Sequence, residues 1–334
     1  VRIDPASAPV WAMERIRKAK GKLDLQADPV VAAKAVKNDI EMIGVRAAHY
    51  RDALAYARFL CWFSSRAHQG GLDEMTLVER LHGFRAEHEM FRGPSFDTIS
   101  GAGPNGAIVH YRVTEESNRD LEPGEIYLVD SGAQYLDGTT DITRTLSTGI
   151  IGEEEQRCFT LVLKGMIALS RAVFPQGTTG GQLDALARRP LWEAGLDYDH
   201  GTGHGVGAYL GVHEGPQRIS KSGGGAELKP GMIISNEPGY YRAGAFGIRI
   251  ENLVAVEPRE VPGAERPMLG FETLTLAPID RALIDLSLLD GGEIAWLDAY
   301  HARVRETLNP DLDPETAVWL ADATAPLAPK IAQD

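Results

Sequence analysis

The amino-acid sequence predicts an α+β fold in which one domain is built from two similar halves, with a functional site where the halves meet. The first observation is that the order helix, helix, glycine-rich segment, strand, strand occurs twice along the chain. The second is that acidic residues stand inside or directly after apolar, strand-like runs. The third is that several histidines stand among glycines, where the backbone can approach a ligand closely.

The first half begins with apolar residues at three- and four-residue steps from Val36 to Ala57, which predicts an amphipathic helix. Thr76 and Glu79 are interpreted as a capping box that starts a second helix. A glycine- and proline-rich stretch follows, GPSFDTISGAGPNGAIVHY. Two strands are predicted next, in EIYLVDSGAQY and TTDITRTL, and Leu136-Asp137-Gly138 between them indicates a hairpin.

The second half repeats this order. Helices are predicted near 153–174 and 181–195, followed by the glycine-rich HGTGHGVGAYLGVHEGP and by strands in GMIISNEP and GIRIENLVAVE. Segments 217–231 and 258–270 are interpreted as surface loops. A final amphipathic helix is predicted near 287–308.

Composition excludes some classes of partner. The net charge of −13 argues against nucleic acid, because phosphate binding requires clustered Lys and Arg and the sequence has no basic run. No apolar stretch approaches the roughly 18 residues that a membrane helix needs, so we expect no membrane partner. Cys61 and Cys158 stand in apolar text and are expected to be buried free thiols, which fits a reducing, cytoplasmic location.

Four carboxylates occupy strand-like, apolar surroundings: Asp130, Asp141, Glu237 and Glu251. Any one of them could end a strand or form a salt bridge to Arg144 or Arg249. Four together are a poor fit to that alternative, because buried carboxylates with few cationic partners repel one another. A divalent cation resolves this repulsion, so the pattern indicates a metal site.

The hairpin between the first two acids sets their separation. If the turn centres near Asp137, Asp141 pairs near Gln134, which is four residues from Asp130. Strand alternation places both acids on one face, but roughly 13 Å apart at ~3.3 Å per residue. We therefore expect a bend or bulge to bring them together.

Four of the nine histidines stand in glycine-rich loops or at strand ends: His110, His200, His204 and His213. A lone histidine in such a place is more often structural, but four beside the carboxylates favour a site. Four carboxylates and one histidine form an oxygen-rich ligand set that suits two divalent ions, with Mn²⁺ as the first choice and Co²⁺ or Zn²⁺ as alternatives. Two ions ~3.5–4 Å apart can hold a bridging hydroxide and polarise a carbonyl.

The segments VDSGAQYLDGTTDITRT, HGTGHGVGAYLGVHEGP, NEPGYY and FGIRIEN together resemble the pita-bread metallopeptidases. That family includes methionine aminopeptidases, prolidases and Xaa-Pro aminopeptidases. GPNGAIVHY and FETLTLAPIDRALID resemble the Xaa-Pro aminopeptidases of the large, three-domain cytosolic type. The resemblance covers about residues 30–320 and implies the pita-bread fold, a homodimer, and hydrolysis of the bond between an N-terminal residue and a following proline.

The resemblance also implies a role for each candidate residue. The metal ligands would be Asp130, Asp141, His204, Glu237 and Glu251. Asp141 and Glu251 would bridge the two ions, and Glu237 would also help to deprotonate the bridging water. The remaining residues would not bind metal. His110 and His213 would contact substrate and move protons, and His200 would line the proline side of the pocket. Arg249 would orient the metal ligands by contacting them rather than the metal.

Two alternatives stay open. One is a prolidase or another aminopeptidase on the same scaffold, and the other is a non-catalytic binding module, although such relatives typically lose metal ligands. Large-type members carry a further domain ahead of their middle domain. Residues 1–34 are therefore interpreted as the tail of a preceding, mostly absent domain or a linker, and 35–334 as the catalytic domain with its C-terminal helical tail. We expect poor peptide hydrolysis without that upstream domain.

Overall fold

The structure, a computed structural model, describes residues 1–222 and 225–327. The α-helices in this part of the chain are α1 (Val10–Lys18), α2 (Pro29–Ala35), α3 (Asp39–Ser64), α4 (Glu74–Ala86), α5 (Glu153–Ser170), α6 (Gly180–Glu193), α7 (Gly291–Leu308) and α8 (Pro314–Ala323). Across the described ranges, every helix is too short or too polar to cross a membrane.

The strands are short, and many carry buried side chains on both faces. They are β1 (Arg2–Ile3), β2 (Asp24–Leu25), β3 (Phe91–Pro94), β4 (Ile99–Ala102), β5 (Ile126–Ser131), β6 (Ala133–Tyr135), β7 (Gly138–Thr139), β8 (Ile142–Ser147), β9 (Phe174–Pro175), β10 (Gly203–Gly205), β11 (Glu214–Ile219), β12 (Ile233–Asn236), β13 (Gly239–Arg242), β14 (Phe246–Arg249), β15 (Asn252–Arg259) and β16 (Met268–Thr273).

The first half consists of α3 and α4 packed on two three-stranded sheets, in the orders β4-β5-β8 and β3-β6-β7. Its core includes Phe59, Leu77 and Tyr127, all buried. The helix α3 begins with a capping box formed by Asn38 and Glu41. The capping box predicted for α4 at Thr76 and Glu79 is wrong. Asp73 caps that helix and accepts from the amide of Thr76, so Thr76 lies inside the first turn.

The second half consists of α5 and α6 with a six-stranded sheet in the order β11-β10-β12-β15-β16-β9. The apolar side of α5 includes Phe159, Val162 and Met166, all nearly inaccessible to solvent. The predicted repeat of helix, helix, glycine-rich segment and strands is therefore present, and the predicted α+β fold class is confirmed.

The two halves join along β8 and β14. Thr145 and Arg249 exchange hydrogen bonds there: the Thr145 hydroxyl donates to the Arg249 carbonyl at 3.1 Å and accepts from the Arg249 amide at 3.1 Å. The join is close-packed, since a Cβ on Gly247 would lie 1.7 Å from the carbonyl oxygen of Gly106. Strand ends from both halves thus meet at one place, which is where the candidate site lies.

Three expectations outside the site differ from the structure. Residues 1–34 contain α1, most of α2 and a parallel β1–β2 pair, although their assignment to a preceding domain stays a prediction. Of the two predicted surface loops, 217–231 begins with the last residues of β11, and its residues 223–224 lie outside the described part. The segment 258–270 contains the last residues of β15 and the first residues of β16, because these strands pair beyond the apolar residues. The last predicted helix is α7, and α8 follows it.

Candidate metal centre

The two aspartates of the first half are brought together by strand register. β5 and β8 pair Asp130 with Thr143, and β6 and β7 pair Tyr135 with Gly138. The same register, continued between these pairs, places Asp141 opposite Gly132. Asp141 is thus two residues from Asp130 along the ladder, about 7 Å at ~3.3 Å per residue.

The predicted pairing of Asp141 near Gln134 is therefore wrong, because only Leu136 and Asp137 form the turn. The β5–β8 and β6–β7 pairs keep one register, so the expected bulge is not found between them; both strands are instead interrupted there, at Gly132 and at 140–141, where the chain passes from one sheet to the other. Close approach of the strands instead requires Gly132, where a Cβ would lie 2.0 Å from the carbonyl oxygen of Thr140.

The two glutamates come from the second half. Glu237 directly follows β12, and its Oε1 accepts from the Ser235 hydroxyl at 3.0 Å. Glu251 lies in the gap between β14 and β15. Its Oε2 accepts from the Thr143 hydroxyl at 2.8 Å, and its amide donates to the Thr143 carbonyl at 3.1 Å. Thr143, which pairs with Asp130, thus fixes an acid of the opposite half.

His204 lies on β10 beside these acids. Its Nε2 is 3.5 Å from Oδ2 of Asp141 and 3.4 Å from Oε1 of Glu237. Its Nδ1 is 3.0 Å from the carbonyl oxygen of Gly205, an arrangement that fixes the proton on Nδ1 and leaves Nε2 as a ligand. Ligand atoms of Asp141, His204 and Glu251 all lie within 4.8 Å of one another.

Unpartnered oxygens test whether this cluster fits a metal. Buried polar atoms nearly always have a hydrogen-bond partner. Within the described residues, Oδ1 of Asp130, Oδ1 of Asp141 and Oε1 of Glu251 are buried and have none. Burial of three carboxylate oxygens without hydrogen-bond donors costs free energy, and a bound cation would compensate that cost. The donor set therefore fits divalent ions.

The electrostatics agree with that test. Burial raises the pKa of Asp141 to about 6 and the pKa of Glu237 to about 7, and neighbouring carboxylates add to both shifts. Burial also raises the pKa of Glu251 well above its usual value. For His204 burial alone would lower the pKa, but Asp141 and Glu237 outweigh it and raise the pKa to about 9. A bound cation would supply the missing positive charge.

Arg249 connects the acids to the wall of the site. Its Nη2 donates to Oδ2 of Asp130 and its Nη1 donates to the Tyr241 hydroxyl, both at 2.6 Å. The Tyr241 hydroxyl is in turn 2.9 Å from Nε2 of His200. Burial, with the nearby Arg249 charge, lowers the pKa of His200 to about 4, so this imidazole is neutral near pH 7. The sequence reasoning missed Tyr241, although NEPGYY contains it.

The four acids, His204, His200 and Arg249 line a cavity of about 380 Å³ together with His110 and His213. The His213 ring lies 4.3 Å from the His204 ring, edge to face, and burial lowers the pKa of His213. All nine candidate residues are thus brought to one cavity. One wall is apolar and was not predicted: Phe96, Ile99 and Val109.

The chain is similar in sequence and in fold to known proteins. Metallopeptidase family M24 matches residues 44–258, and the C-terminal region of peptidase M24 matches residues 267–327. Aminopeptidase P2 of Arabidopsis thaliana is 51% identical over 305 residues, which are 90% of this chain and 43% of that protein. The chain spans about half the length of the curated relatives it matches.

Two solved structures extend the comparison. X-prolyl aminopeptidase from Caenorhabditis elegans, described as a cytosolic enzyme with a di-nuclear active site, superposes with a TM-score of 0.91 at 40% identity. The match covers 98% of this chain and 54% of that one. Xaa-Pro dipeptidase from Bacillus anthracis gives a TM-score of 0.70 at 25% identity, and covers 84% of this chain and 73% of that one.

Proposed function

This chain belongs to metallopeptidase family M24, and we propose that it hydrolyses the bond between an N-terminal residue and a following proline. One observation carries the proposal. Buried carboxylates from both halves, three of them with an unpartnered oxygen, surround His204 at the wall of a cavity that also holds three other histidines. The names of the relatives, aminopeptidase P and X-prolyl aminopeptidase, support the specificity for proline.

We assign two divalent ions to five ligands: Asp130, Asp141, His204, Glu237 and Glu251. By the family resemblance, Asp141 and Glu251 would be the two ligands shared by both ions. Mn²⁺ is proposed because the set is rich in oxygen, with Co²⁺ or Zn²⁺ as alternatives. When bound, such ions lower the pKa of water and polarise the scissile carbonyl. Glu237 accepts the proton of the attacking water, and the Ser235 hydroxyl orients its carboxylate.

The substrate presents a particular difficulty, because the bond before proline is a tertiary amide without an N–H. Its nitrogen must be protonated as it leaves, and a histidine suits this task near neutral pH. His110 and His213 line the cavity without being assigned as ligands, so they are proposed to contact substrate and move this proton.

The proline ring has to be recognised by shape. We place it on the His200 side, where Tyr241 and Arg249 hold a neutral imidazole. Arg249 also fixes Asp130. A homodimer in the cytoplasm is proposed for the whole protein, and the cytosolic description of the Caenorhabditis elegans enzyme supports the location.

A panel of three peptides tests the function. Ala-Pro-Ala, Ala-Pro and Ala-Ala-Ala are each incubated with Mn²⁺-loaded protein, and release of alanine is measured. We expect release from Ala-Pro-Ala at least tenfold faster than from the other two. Preference for Ala-Pro would indicate a dipeptidase, and preference for Ala-Ala-Ala would indicate a general aminopeptidase. Metal binding without hydrolysis of any peptide, both by this chain and by a version extended upstream, would indicate a binding module.

A further inference from the structure

A buried lysine contacts the loop that separates two histidines of the cavity. Lys37 lies between α2 and α3 and is only 4% exposed. Its Nζ donates to the carbonyl of Val206 at 2.5 Å and to the carbonyl of Ala35 at 3.3 Å. Oε1 of Glu214 is 4.0 Å from the same nitrogen. One ammonium group therefore reaches both Val206 and Glu214.

Val206 and Glu214 stand at the two ends of a loop, and we call this pair of ends the neck. β10 and β11 pair Gly205 with Glu214, after a register shift that follows His204. Between them the chain makes a loop over 206–213, closed by one backbone hydrogen bond from Gly207 to Gly211 at 3.0 Å. His204 precedes the neck on one side and His213 adjoins Glu214 on the other, with their rings 4.3 Å apart.

The loop itself supplies little to hold it in place. Leu210 adopts the left-handed conformation, with φ of 63°, and its side chain is 56% exposed. Such backbone conformations persist only when surrounding contacts impose them. The contacts at the tip come from the first half: Gln134 accepts from the Leu210 amide at 2.9 Å, and the Thr139 hydroxyl donates to the Leu210 carbonyl at 3.2 Å.

The charges at the neck depend on one another. A buried ammonium group is tolerated only where it is paired and hydrogen-bonded. Oε1 of Glu214 is buried and, within the described residues, accepts no hydrogen bond, so Lys37 is the nearby compensating charge. Oε2 of Glu214 pairs instead with Lys34 of α2 at 2.7 Å.

Lys37 is also fixed to the rest of the second half. Its amide donates to the Gly231 carbonyl at 3.0 Å, and Val36 forms a bridge with Met232, which directly precedes β12. The segment that enters α3 is thus attached to the strand that directly precedes Glu237.

We propose that Lys37 is a positioning residue for the peptidase reaction. It holds Val206 and Glu214 together at the neck of the 206–213 loop and thereby positions His213 relative to His204 and the substrate. The activity readout of this proposal rests on the proposed function, whereas its effect on the loop does not. Displacement of a catalytic group by ~1 Å can cost ~100-fold in rate. Loosening of the neck should therefore lower kcat without removing metal.

Lys37→Met tests the proposal, because methionine keeps most of the side-chain volume and removes the charge. The matched control is Lys164→Met. Lys164 also binds a carbonyl and a carboxylate, those of Leu288 at 2.8 Å and Glu293 at 2.6 Å, but it lies outside the cavity. Each Mn²⁺-loaded variant is assayed with Ala-Pro-Ala, analysed for metal, and digested briefly with chymotrypsin, which can cut after the exposed Tyr209.

For Lys37→Met we expect kcat to fall at least tenfold, an unchanged metal content, and cleavage after Tyr209 at least tenfold faster. For Lys164→Met we expect kcat and cleavage within about twofold of the unmodified protein. Unchanged cleavage and kcat in Lys37→Met, or equal changes in both variants, would overturn the proposal. If Lys37→Met does not fold, Glu214→Gln takes its place with the same expectations, because it removes the paired charge from the other side.

A double variant separates positioning from general stability. In the His213→Ala background, Lys37→Met should lower the remaining kcat by less than about threefold, because the group that it positions is gone. A full tenfold loss in that background would overturn the proposal. If the unmodified protein hydrolyses none of the peptides, the proposed function fails. The cleavage rates after Tyr209 then still decide whether Lys37 holds the loop.

Discussion

Arg249 donates from Nη2 to Oδ2 of Asp130 at 2.6 Å and so joins the last residue of β14 to a strand of the opposite half. Arg249 is 2% exposed, and its Nη1 donates to Tyr241 at the same distance. One guanidinium therefore holds a proposed ligand and, through Tyr241, the cavity-lining His200. Loss of a group that hydrogen-bonds a metal ligand typically costs about 10- to 100-fold in metal affinity or activity.

Arg249→Lys should therefore weaken metal binding by roughly 10- to 100-fold, because a single ammonium cannot span both partners of the planar guanidinium. The measurement is a titration of metal-free protein with Mn²⁺. Arg242→Lys is the matched control, since Arg242 lies on the adjoining strand, is exposed, and pairs with Glu154 away from the cavity. Equal affinities in the two variants would contradict this role of Arg249.

Glu237→Gln should lower kcat on the order of a hundredfold or more, the scale on which loss of a general base acts. KM should change much less, because glutamine keeps the shape of the side chain and can still accept from Ser235. Steady-state kinetics at full metal occupancy, verified by elemental analysis, make the comparison. A variant with near-normal kcat would show that Glu237 is not the proton acceptor.

His110→Ala and His213→Ala should each keep two ions per chain and lose most activity. Both residues line the cavity, and neither is assigned as a metal ligand. Elemental analysis and peptide assays on the same preparations test this. Loss of metal in either variant would mean that the proposed ligand set is wrong.

The pH dependence of stability should differ between metal-free and metal-loaded protein. In the metal-free protein the pKa values of Asp141 and Glu237 are raised from 3.8 and 4.5 to about 6 and about 7. An acid with a raised folded-state pKa contributes stability below its unfolded pKa and loses it as the pH rises through the folded value. His204, with its pKa raised from 6.5 to about 9, has the same sign. This cluster therefore destabilises metal-free protein as the pH rises from about 4 to 9.

Metal reverses that trend, because ions bind the deprotonated ligands and displace protons. The difference in Tm between metal-loaded and metal-free protein should thus widen steadily from pH 5 to pH 8. Calorimetry in buffers of equal ionic strength measures it. The double variant Asp141→Asn with Glu237→Gln should flatten the dependence, and a constant difference in the unmodified protein would be inconsistent with ligands that titrate in this range.

Much of the fold could be predicted from sequence because it depends on local pattern. Apolar periodicity predicted α3, and the repeated order of elements predicted two halves. The acids that converge could also be found, since a carboxylate in apolar strand text is unusual wherever its partners lie. Asp130 and Glu251 are separated by more than a hundred residues, yet each was recognisable by its own surroundings.

What could not be predicted depends on register and on distant contacts. A two-residue difference in the hairpin decides whether Asp141 lies near Asp130, and Asp-Gly alone does not fix it. The cap of α4 was placed three residues late because Asp73 and Thr76 are both good caps by type. Lys37 gives no signal in the sequence, since its burial arises from a loop about 170 residues away.

Metal stoichiometry measured together with activity tests the central claim most directly. The protein is stripped with a chelator, titrated with Mn²⁺, and assayed with Ala-Pro-Ala after each addition, with bound metal determined by elemental analysis. We predict that activity is absent without metal and maximal at two ions per chain. We also predict that Asp141→Asn abolishes both activity and metal binding. Full hydrolysis of Ala-Pro-Ala by protein verified as metal-free would contradict the account.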